Sequence, residues 1–195
     1  MRALAVVLLH HPVVDREGAV VTTAITNLDL HDIARSAHAF GAQRLYVAHP
    51  VAAQRELATR IRDHWVDGSG GRRIPDRRPA MAALCVVESL DAAVTAHGGA
   101  ARPELWTTSA AGGRAEARRL SHEAARAELE REGPPVLLAL GTGWGLAPAV
   151  LERADAHLEP IRSPRADGWN HLSVRAAAAI LLDRLAGPRA GGERG

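Results

Sequence analysis

Short apolar runs recur along the chain and alternate with segments of helical periodicity, and this alternation constrains the fold more than any other feature. The runs lie at residues 4–9, 44–48, 83–87, 104–107, 136–140 and 157–161. Because they are apolar throughout, they are typical of strands that are covered on both faces. Their alternation with helices predicts an α/β fold, a mostly parallel sheet with helices on both faces.

Helical periodicity predicts helices at residues 28–40, 51–65, 90–97, 121–131, 147–153 and 172–185. Asn27 is the predicted N-cap of the first helix, and Gly41 is predicted to end it in a left-handed conformation. Ser89 and Ser121 are predicted N-caps of two later helices.

The length and composition predict one globular domain. A chain of 195 residues can bury a core of its own. The composition of the chain, with 47% apolar and 24% charged residues, excludes a disordered or fibrous protein. We predict a single domain over residues 1–187 and a disordered tail over residues 188–195. Residues 68–79, rich in glycine and proline with four arginines against one aspartate, predict a mobile loop.

Cysteine content and the lengths of the apolar runs indicate the cellular compartment in which the protein is expected. Cys85 is the only cysteine and lies in an apolar run, so a disulfide framework is excluded and a reducing cytoplasm is expected. No apolar stretch reaches the roughly 18–20 residues that a membrane span needs. His10, His11 and Pro12 follow the first run without a small-residue cleavage site, which favours a buried strand over a leader.

The net charge and the spacing of the histidines disfavour several classes of function. All 24 basic residues are arginine and the net charge is +2, which does not predict strong nonspecific attraction to phosphate. None of the ten histidines has a metal-binding spacing, so no metal site is expected, and His10 and His11 are interpreted as a loop pair. Without a GxSxG motif, and with Cys85 in a predicted strand, nucleophilic catalysis has no support.

Three loops follow neighbouring strands of the predicted sheet, at residues 106–111, 140–146 and 159–171. Ligands of open parallel sheets bind beyond the carboxyl ends of the strands, so a small polar ligand there would contact all three loops. The glycines at 141, 143 and 145 have GxGxG spacing and follow a late strand, which disfavours a dinucleotide site. A tight turn in which Trp144 covers the edge of the core is the alternative.

One face of the first predicted helix is polar. Asn27, His31 and Arg35 recur every four residues and therefore share that face. Asp29 and Asp32 suit a helical first turn without any chemical role. An ion pair between Arg35 and Asp32, three residues apart, is likewise an alternative to a function for the arginine.

Three segments together resemble the SPOUT superfamily of S-adenosylmethionine (SAM)-dependent RNA methyltransferases, the SpoU/TrmD class. Residues 27–41 are similar to its first motif, Asn-x-x-Asn-x-(Gly/Ala)-x-x-Arg-(Thr/Ser)-(Ala/Cys)-x-x-(Phe/Val)-Gly. Residues 138–146 are similar to the second motif and residues 158–182 to the third. The resemblance covers nearly the whole chain and extends to a small single-domain bacterial family of this superfamily.

The resemblance implies a C-terminal trefoil knot, which folding rules alone would not suggest. It also implies a homodimer in which each active site is completed by the partner, with SAM bound bent in the knot. Arg35 corresponds to the first-motif arginine that is associated with methyl transfer in the ribose-methylating branch, and Asn27, His31 and Asp29 are catalytic candidates beside it. The implied cofactor pocket comprises Thr108, Ser109, Gly141, Gly143, Trp144, Gly145, Leu146, Pro160, Ile161, Asn170, His171, Leu172 and Ser173.

The chain also departs from the family pattern. His31 or Leu30 stands where the first motif has its second asparagine, and His171 stands at the third-motif asparagine, with Asn170 one position early. Thr142 or Trp144 replaces a glutamate of the second motif. These departures leave the acceptor atom open, with a ribose 2′-oxygen slightly favoured over a base nitrogen.

We therefore expect a cytoplasmic, homodimeric, SAM-dependent methyltransferase that acts on RNA, either tRNA or rRNA, without a metal or a membrane. Residues 68–79 are the candidate segment for gripping phosphates. One alternative is a catalytically inert knotted module that binds SAM or RNA. Another is a nucleotide-dependent oxidoreductase on an ordinary doubly wound sheet, which the glycine spacing disfavours.

Overall fold

The computed structural model of the chain describes residues 1–108 and 117–188. Its strands are β1 (Leu4–Leu9), β2 (Val13–Val14), β3 (Val20–Val21), β4 (Leu45–Ala48), β5 (Leu84–Val87), β6 (Glu104–Thr107), β7 (Arg118–Leu120), β8 (Val136–Gly141) and β9 (Ala156–Leu158). Its helices are α1 (Asn27–Ala39), α2 (Ala52–Val66), α3 (Ser69–Arg73), α4 (Arg78–Ala82), α5 (Leu90–Gly98), α6 (His122–Glu130), α7 (Pro148–Leu151) and α8 (Val174–Ala186).

Seven strands form one sheet in the order β5-β4-β1-β8-β6-β9-β7, and each pairing within it is parallel. β2 and β3 pair with each other as a separate antiparallel hairpin. The prediction of a mostly parallel α/β sheet is confirmed. The trefoil knot that the resemblance implies stays a prediction.

Both faces of the sheet are covered, as the unbroken apolar runs predict. Every residue of β1 is buried. Leu4, Val6 and Leu8 pack into one cluster with α1, α6 and α8, whereas alternate residues of the same strand pack into a second cluster with α5. A strand buried on both faces has no place for a polar side chain, which is why its sequence does not alternate.

The register of the central strands aligns their carboxyl ends. Leu9, the last residue of β1, pairs with Gly141 at the end of β8 and with Ala48 at the end of β4. The segments that leave these strands therefore start side by side at one edge of the sheet, although Gly141 lies more than 90 residues from each of the other two strand ends in sequence.

Most helix ends agree with the local signals, but the first cap does not. Ser89 and Ser121 cap α5 and α6 as predicted, and Gly41 follows α1 with φ +77°. Asn27 is not the N-cap of α1. Thr26 is extended, and its hydroxyl accepts the backbone N–H of Asp29 at 3.2 Å, so Asn27 becomes the first helical residue.

The prediction of a mobile loop at residues 68–79 is wrong. Helix α3, a 3₁₀ turn at Pro75–Arg77 and the start of α4 occupy this segment. The buried Gly70 and Gly71 let α3 pack closely on the end of α2. The hairpin β2–β3 and the strand β7 were not predicted. Of the predicted tail, only Pro188 lies within the described residues.

Among the described residues, no helix combines the length and the apolar character that crossing a bilayer requires.

Replacing Leu138 by alanine should destabilise the protein strongly, because its side chain is fully buried in the central strand β8. The expected loss in free energy of unfolding is about 2–5 kcal/mol. Urea unfolding measures it, with Leu57→Ala on the exposed side of α2 as the matched control, expected within about 0.5 kcal/mol of wild type. Equal losses in the two variants would contradict this packing.

Candidate functional site

The carboxyl edge of the sheet gathers the segments in which the sequence predicts a ligand site. β8 leads into residues 142–147, β9 leads into residues 159–173, and β6 leads into Thr108. Their strands are neighbours in the sheet. Open parallel sheets bind ligands at this edge, so the position agrees with the prediction.

The turn after β8 depends on its glycines. Gly143 and Gly145 have φ of +62° and +116°, which other residues rarely adopt. A Cβ on Gly141 would lie 2.7 Å from the backbone nitrogen of Leu146, and one on Gly143 would lie 2.9 Å from the carbonyl oxygen of Val14. The three glycines therefore permit a turn that comes close both to itself and to the hairpin.

The hairpin β2–β3 holds this turn through backbone hydrogen bonds. Trp144 donates its N–H to the carbonyl of Val14 at 2.9 Å, and Val14 donates its own to Gly145 at 3.0 Å. A third bond runs from Ala147 to the carbonyl of Pro12 at 3.2 Å. The hairpin thus acts as an extra strand along the turn and fixes the position from which the indole of Trp144 projects.

A chain of side-chain hydrogen bonds holds the same turn from beneath. The Thr142 hydroxyl donates to the carbonyl of Leu9 at 3.1 Å, and it lies 2.5 Å from the Thr23 hydroxyl. Because a hydroxyl has one proton, Thr23 must donate to Thr142 and must itself accept from Nδ1 of His10 at 3.1 Å. The chain therefore runs from the histidine to the strand end and fixes His10 in its neutral Nδ1–H form.

His49 supports this network from β4. Its Nδ1 accepts the N–H of Val51 at 3.0 Å, so its protonated Nε2 donates to the carbonyl of Thr23 at 3.0 Å. Burial, reinforced by His49, lowers the pKa of His10 from 6.5 to about 4. Burial likewise lowers the pKa of His49. Both rings are neutral near pH 7, and the network contains no net charge.

The segment after β9 is anchored where it begins. Glu159 donates its N–H to Leu120 at 2.8 Å, and its carboxylate accepts the N–H of His122, at the start of α6, at 2.9 Å. This bond lowers the pKa of Glu159. Further along, the side-chain amide of Asn170 donates to the carbonyl of Ile161 at 2.6 Å and closes the segment into a loop.

Side chains from two loops meet at this edge. The rings of Trp144 and His171 pack edge to face with centroids 5.4 Å apart. Ser173 caps α8 by accepting the N–H of Ala176, which fixes the far end of the second loop. Of the predicted pocket residues here, Leu146 is buried, Gly141, Gly145, Pro160, Ile161 and Asn170 are half-buried, and Gly143, Trp144, His171, Leu172 and Ser173 are exposed.

The loop after β6 contributes one described residue, the half-buried Thr108. The predicted pocket residue Ser109 lies outside the described residues. Next to Thr108, the buried Thr107 hydroxyl lies 2.6 Å from Nδ1 of His157 on the adjacent strand β9. This bond ties the ends of β6 and β9 together directly below the loops.

Asp29 and Asp32 of the first motif are paired with residues outside that motif. Asp29 lies 3.3 Å from the guanidinium of Arg175, at the start of α8, and also accepts from the Thr26 hydroxyl at 2.6 Å. Asp32 accepts from the same arginine at 3.2 Å. Asp32 therefore pairs with Arg175 across two helices, and the alternative of an ion pair with Arg35 is not observed.

The polar residues of α1 are spread over more than two turns of the helix. Asn27 and Arg35 are exposed, and Arg35 lies about 12 Å along the helix from Asn27 at 1.5 Å per residue. The ring of His31 packs against Trp65 of α2 with centroids 4.9 Å apart. The structure thus brings two predicted cofactor loops together, whereas the catalytic candidates Asn27, His31 and Arg35 form no described contact with them.

The network of His10, Thr23 and Thr142 was not predicted from the sequence. A signal for two of the three exists. His10 directly follows the buried strand β1 and Thr142 follows β8, so each lies where a polar group at a strand end must find a partner. Nothing local marks Thr23, which lies 119 residues from Thr142 in sequence.

Comparison with known proteins gives a consistent family. A family model described as SAM-dependent RNA methyltransferase matches residues 3–187. Two curated relatives with the name tRNA (guanine-N(1)-)-methyltransferase, from Oleidesulfovibrio alaskensis and Nitratidesulfovibrio vulgaris, are 43% and 45% identical over 188 residues, which is 95% of this chain. The chain spans only 42% of the length of each. An uncharacterized protein of Aquifex aeolicus is 35% identical over 92% of this chain and 86% of its own length.

Solved structures with the same fold include several methyltransferases. TrmJ from Z. mobilis has a TM-score of 0.62 at 14% identity, over 97% of this chain and 70% of its own. A SAM-bound rRNA methyltransferase from Sinorhizobium meliloti has a TM-score of 0.55 at 16% identity, over 94% and 55%. A TrmH/SpoU tRNA-modifying enzyme of A. aeolicus has a TM-score of 0.54 at 15% identity, over 95% and 75%.

Thr142→Val should lower the free energy of unfolding by about 1–3 kcal/mol, because it leaves the half-buried Thr23 hydroxyl without its acceptor. It also removes the side-chain bond to the Leu9 carbonyl, which keeps only the backbone N–H of position 142. Urea unfolding at neutral pH measures the loss. Thr142→Ser is the matched control, since it keeps the hydroxyl and should recover most of the stability. A valine variant as stable as wild type would show that the network does not hold the turn.

Acid should destabilise the protein through His10. The unfolded state binds a proton at this ring near pH 6.5 and the folded state only near pH 4, so stability falls as the pH drops through that window. Protonation of His10 across this window is expected to lower the free energy of unfolding by about 3 kcal/mol. His10→Asn, whose amide nitrogen can replace Nδ1, should retain neutral-pH stability and lose less stability between pH 6.5 and pH 4. An unchanged pH slope would contradict a depressed pKa.

Proposed function

Because the chain belongs to the family of SAM-dependent RNA methyltransferases, we propose that it transfers the methyl group of SAM to RNA. The observation that carries this proposal is the meeting of the β8 turn and the 159–173 loop at the carboxyl edge, marked by the contact of Trp144 with His171. Both loops are fixed at their ends by hydrogen bonds, so a ligand would meet a site that is already formed.

The residues at this edge fit the chemistry of the cofactor. SAM supplies an electrophilic methyl group on a sulfonium and carries a flat, largely apolar adenine. The half-buried Ile161, together with the rim of the buried Leu146, offers an apolar surface for the ring. Apart from its two chain neighbours, no described residue has an atom within 4 Å of the position where Gly145 would carry a Cβ, so the backbone is accessible there. The remaining members of the proposed pocket are Thr108, Ser109, Gly141, Gly143, Trp144, Pro160, Asn170, His171, Leu172 and Ser173.

Two acceptor atoms are supported by different observations. Arg35 matches the arginine of the ribose-methylating branch, which favours the ribose 2′-oxygen. The names of the curated relatives favour N1 of guanine, but those proteins are more than twice as long as the matched segment. Either acceptor must lose a proton as the methyl group is transferred.

Arg35 is our candidate for assisting that proton loss, since a guanidinium beside the acceptor lowers the pKa of that group. His31 is neutral near pH 7, because burial lowers its pKa and Arg77 reinforces the effect, so it retains a lone pair that can accept a proton. Asp29 is already paired with Arg175 and the Thr26 hydroxyl. We therefore place Asp29 in a positioning role and Arg35, with His31 and Asn27, nearer the acceptor.

A homodimer would supply what one chain lacks. Among the described residues, Asn27, His31 and Arg35 form no hydrogen bond, ion pair or ring contact with the cofactor loops, whereas Asp29 reaches Arg175, two residues beyond Ser173. We propose that a second copy presents its α1 to these loops. Leu28, Trp144 and Trp169 are each more than half exposed, and apolar side chains of this size favour an interface. We propose a cytoplasmic homodimer that acts on tRNA or rRNA, with the arginines of residues 68–79 contacting phosphates.

The test is transfer of labelled methyl groups from SAM to total RNA, followed by digestion to nucleosides. We expect labelled RNA, and the nucleoside identifies a 2′-O-methyl ribose or 1-methylguanosine. Arg35→Ala should lower turnover about 100-fold, because it removes the charge beside the acceptor, while SAM affinity is unchanged. Arg131→Ala, another exposed arginine, is the matched control and should retain turnover.

Two results would contradict the proposal. SAM binding without transfer to any RNA would identify the inert knotted module. Full turnover by Arg35→Ala would remove the arginine from the chemistry and leave the family assignment standing.

A further inference from the structure

Trp65, near the end of α2, is surrounded by cationic and aromatic side chains. The guanidinium of Arg77 lies over its ring at 4.9 Å from the centroid. The rings of His31 and His64 lie nearly perpendicular to it, with centroids 4.9 Å and 5.5 Å from that of the indole. Trp65 also packs against the main core cluster, so the arginine covers the side of the indole that is turned away from the core.

A pair of glycines builds this arrangement. A Cβ on Gly70 would lie 2.8 Å from the ring of His64, and one on Gly71 would lie 2.2 Å from the carbonyl oxygen of Trp65. Only glycine allows α3 to approach α2 this closely. The 3₁₀ turn that follows α3 then carries Arg77 back over the indole.

The surface around this stack is strongly basic. Residues 60–78 contain six arginines and three aspartates, so this segment carries +3 while the whole chain carries only +2. Asp63 is paired with Arg62, and Arg73 and Arg78 are exposed. The guanidinium of the half-buried Arg77 forms no hydrogen bond or ion pair with any residue of 1–108 and 117–188, so its N–H donors are available to a ligand.

We propose that Arg77, held over the ring of Trp65, is a stacking platform for an unpaired base of RNA, with Arg73 and Arg78 contacting the phosphates on either side. The proposal rests on the proposed function only in taking RNA as the partner. It adds a place and a mode of recognition that the cofactor loops do not supply.

The chemistry favours an unpaired base over a duplex. Bases of single-stranded RNA stack on guanidinium planes, whereas an A-form duplex keeps its bases stacked on one another. Trp65 already orders the arginine, so little side-chain entropy is lost when a base binds. Planarity matters here, because lysine carries the same charge but has no face on which a base can stack.

The position links the platform to the proposed chemistry. His31 contacts Trp65 and lies on the same face of α1 as Arg35, one helical turn away. A base on Arg77 would therefore place a neighbouring nucleotide toward Arg35. This arrangement fits a substrate with unpaired nucleotides around the methylated one.

Fluorescence anisotropy with a 12-nucleotide oligoadenylate and an abasic RNA of equal length tests the platform. We expect wild type to bind the intact strand about tenfold more tightly than the abasic strand. Arg77→Lys should abolish that preference and leave the dependence on salt unchanged, since the charge is kept. Arg60→Lys is the matched control, because Arg60 is exposed and pairs with Glu56 within α2, and it should behave as wild type.

The outcomes separate this proposal from the proposed function. A preference for the intact strand that survives Arg77→Lys would overturn the platform and leave RNA binding intact. Equal binding of both strands by wild type would show a surface that recognises charge alone, and would overturn it as well. No RNA binding by a protein that still binds SAM would overturn the platform together with the RNA substrate.

Discussion

The parallel pairing of β1 with β8 is the interaction on which the rest of the site depends. Six consecutive residues of each strand are paired, although 132 residues separate them in sequence. The pairing places Leu9 beside Gly141, so the residue after each strand end, His10 and Thr142, can reach the same hydroxyl of Thr23. Displacing either strand by one residue would point its buried side chains to the wrong face and separate the network.

Dependence on residues that are distant in sequence also explains which parts of the fold could be predicted. The apolar runs of the central strands need no distant partner to be recognised, and neither do the serine caps of α5 and α6. The hairpin β2–β3 has two residues per strand, too few for a period-two pattern, and its bonds to the β8 turn join residues at least 130 apart. Considered without tertiary contacts, the glycines and prolines of residues 68–79 favour a loop. The packing of this segment on Trp65 makes it helical instead.

The site shows a similar division. The glycine turn at 141–145 and its place at the carboxyl edge were predictable, because both follow from local sequence and from the general behaviour of parallel sheets. The role of Arg175 was not, since its pairing with Asp29 and Asp32 depends on how α8 packs against α1. Burial lowers the pKa of both His10 and His49, and only the assembled edge provides that burial. Motifs identify the loops, whereas the contacts that hold them are tertiary.

The central claim is that the two loops at the carboxyl edge form a site for SAM, and calorimetric titration of the purified protein tests it most directly. NAD in a parallel titration serves as the control ligand. We expect saturable binding of SAM and none of NAD. A folded protein that binds no SAM, or that binds NAD in its place, would contradict it and would revive the oxidoreductase alternative.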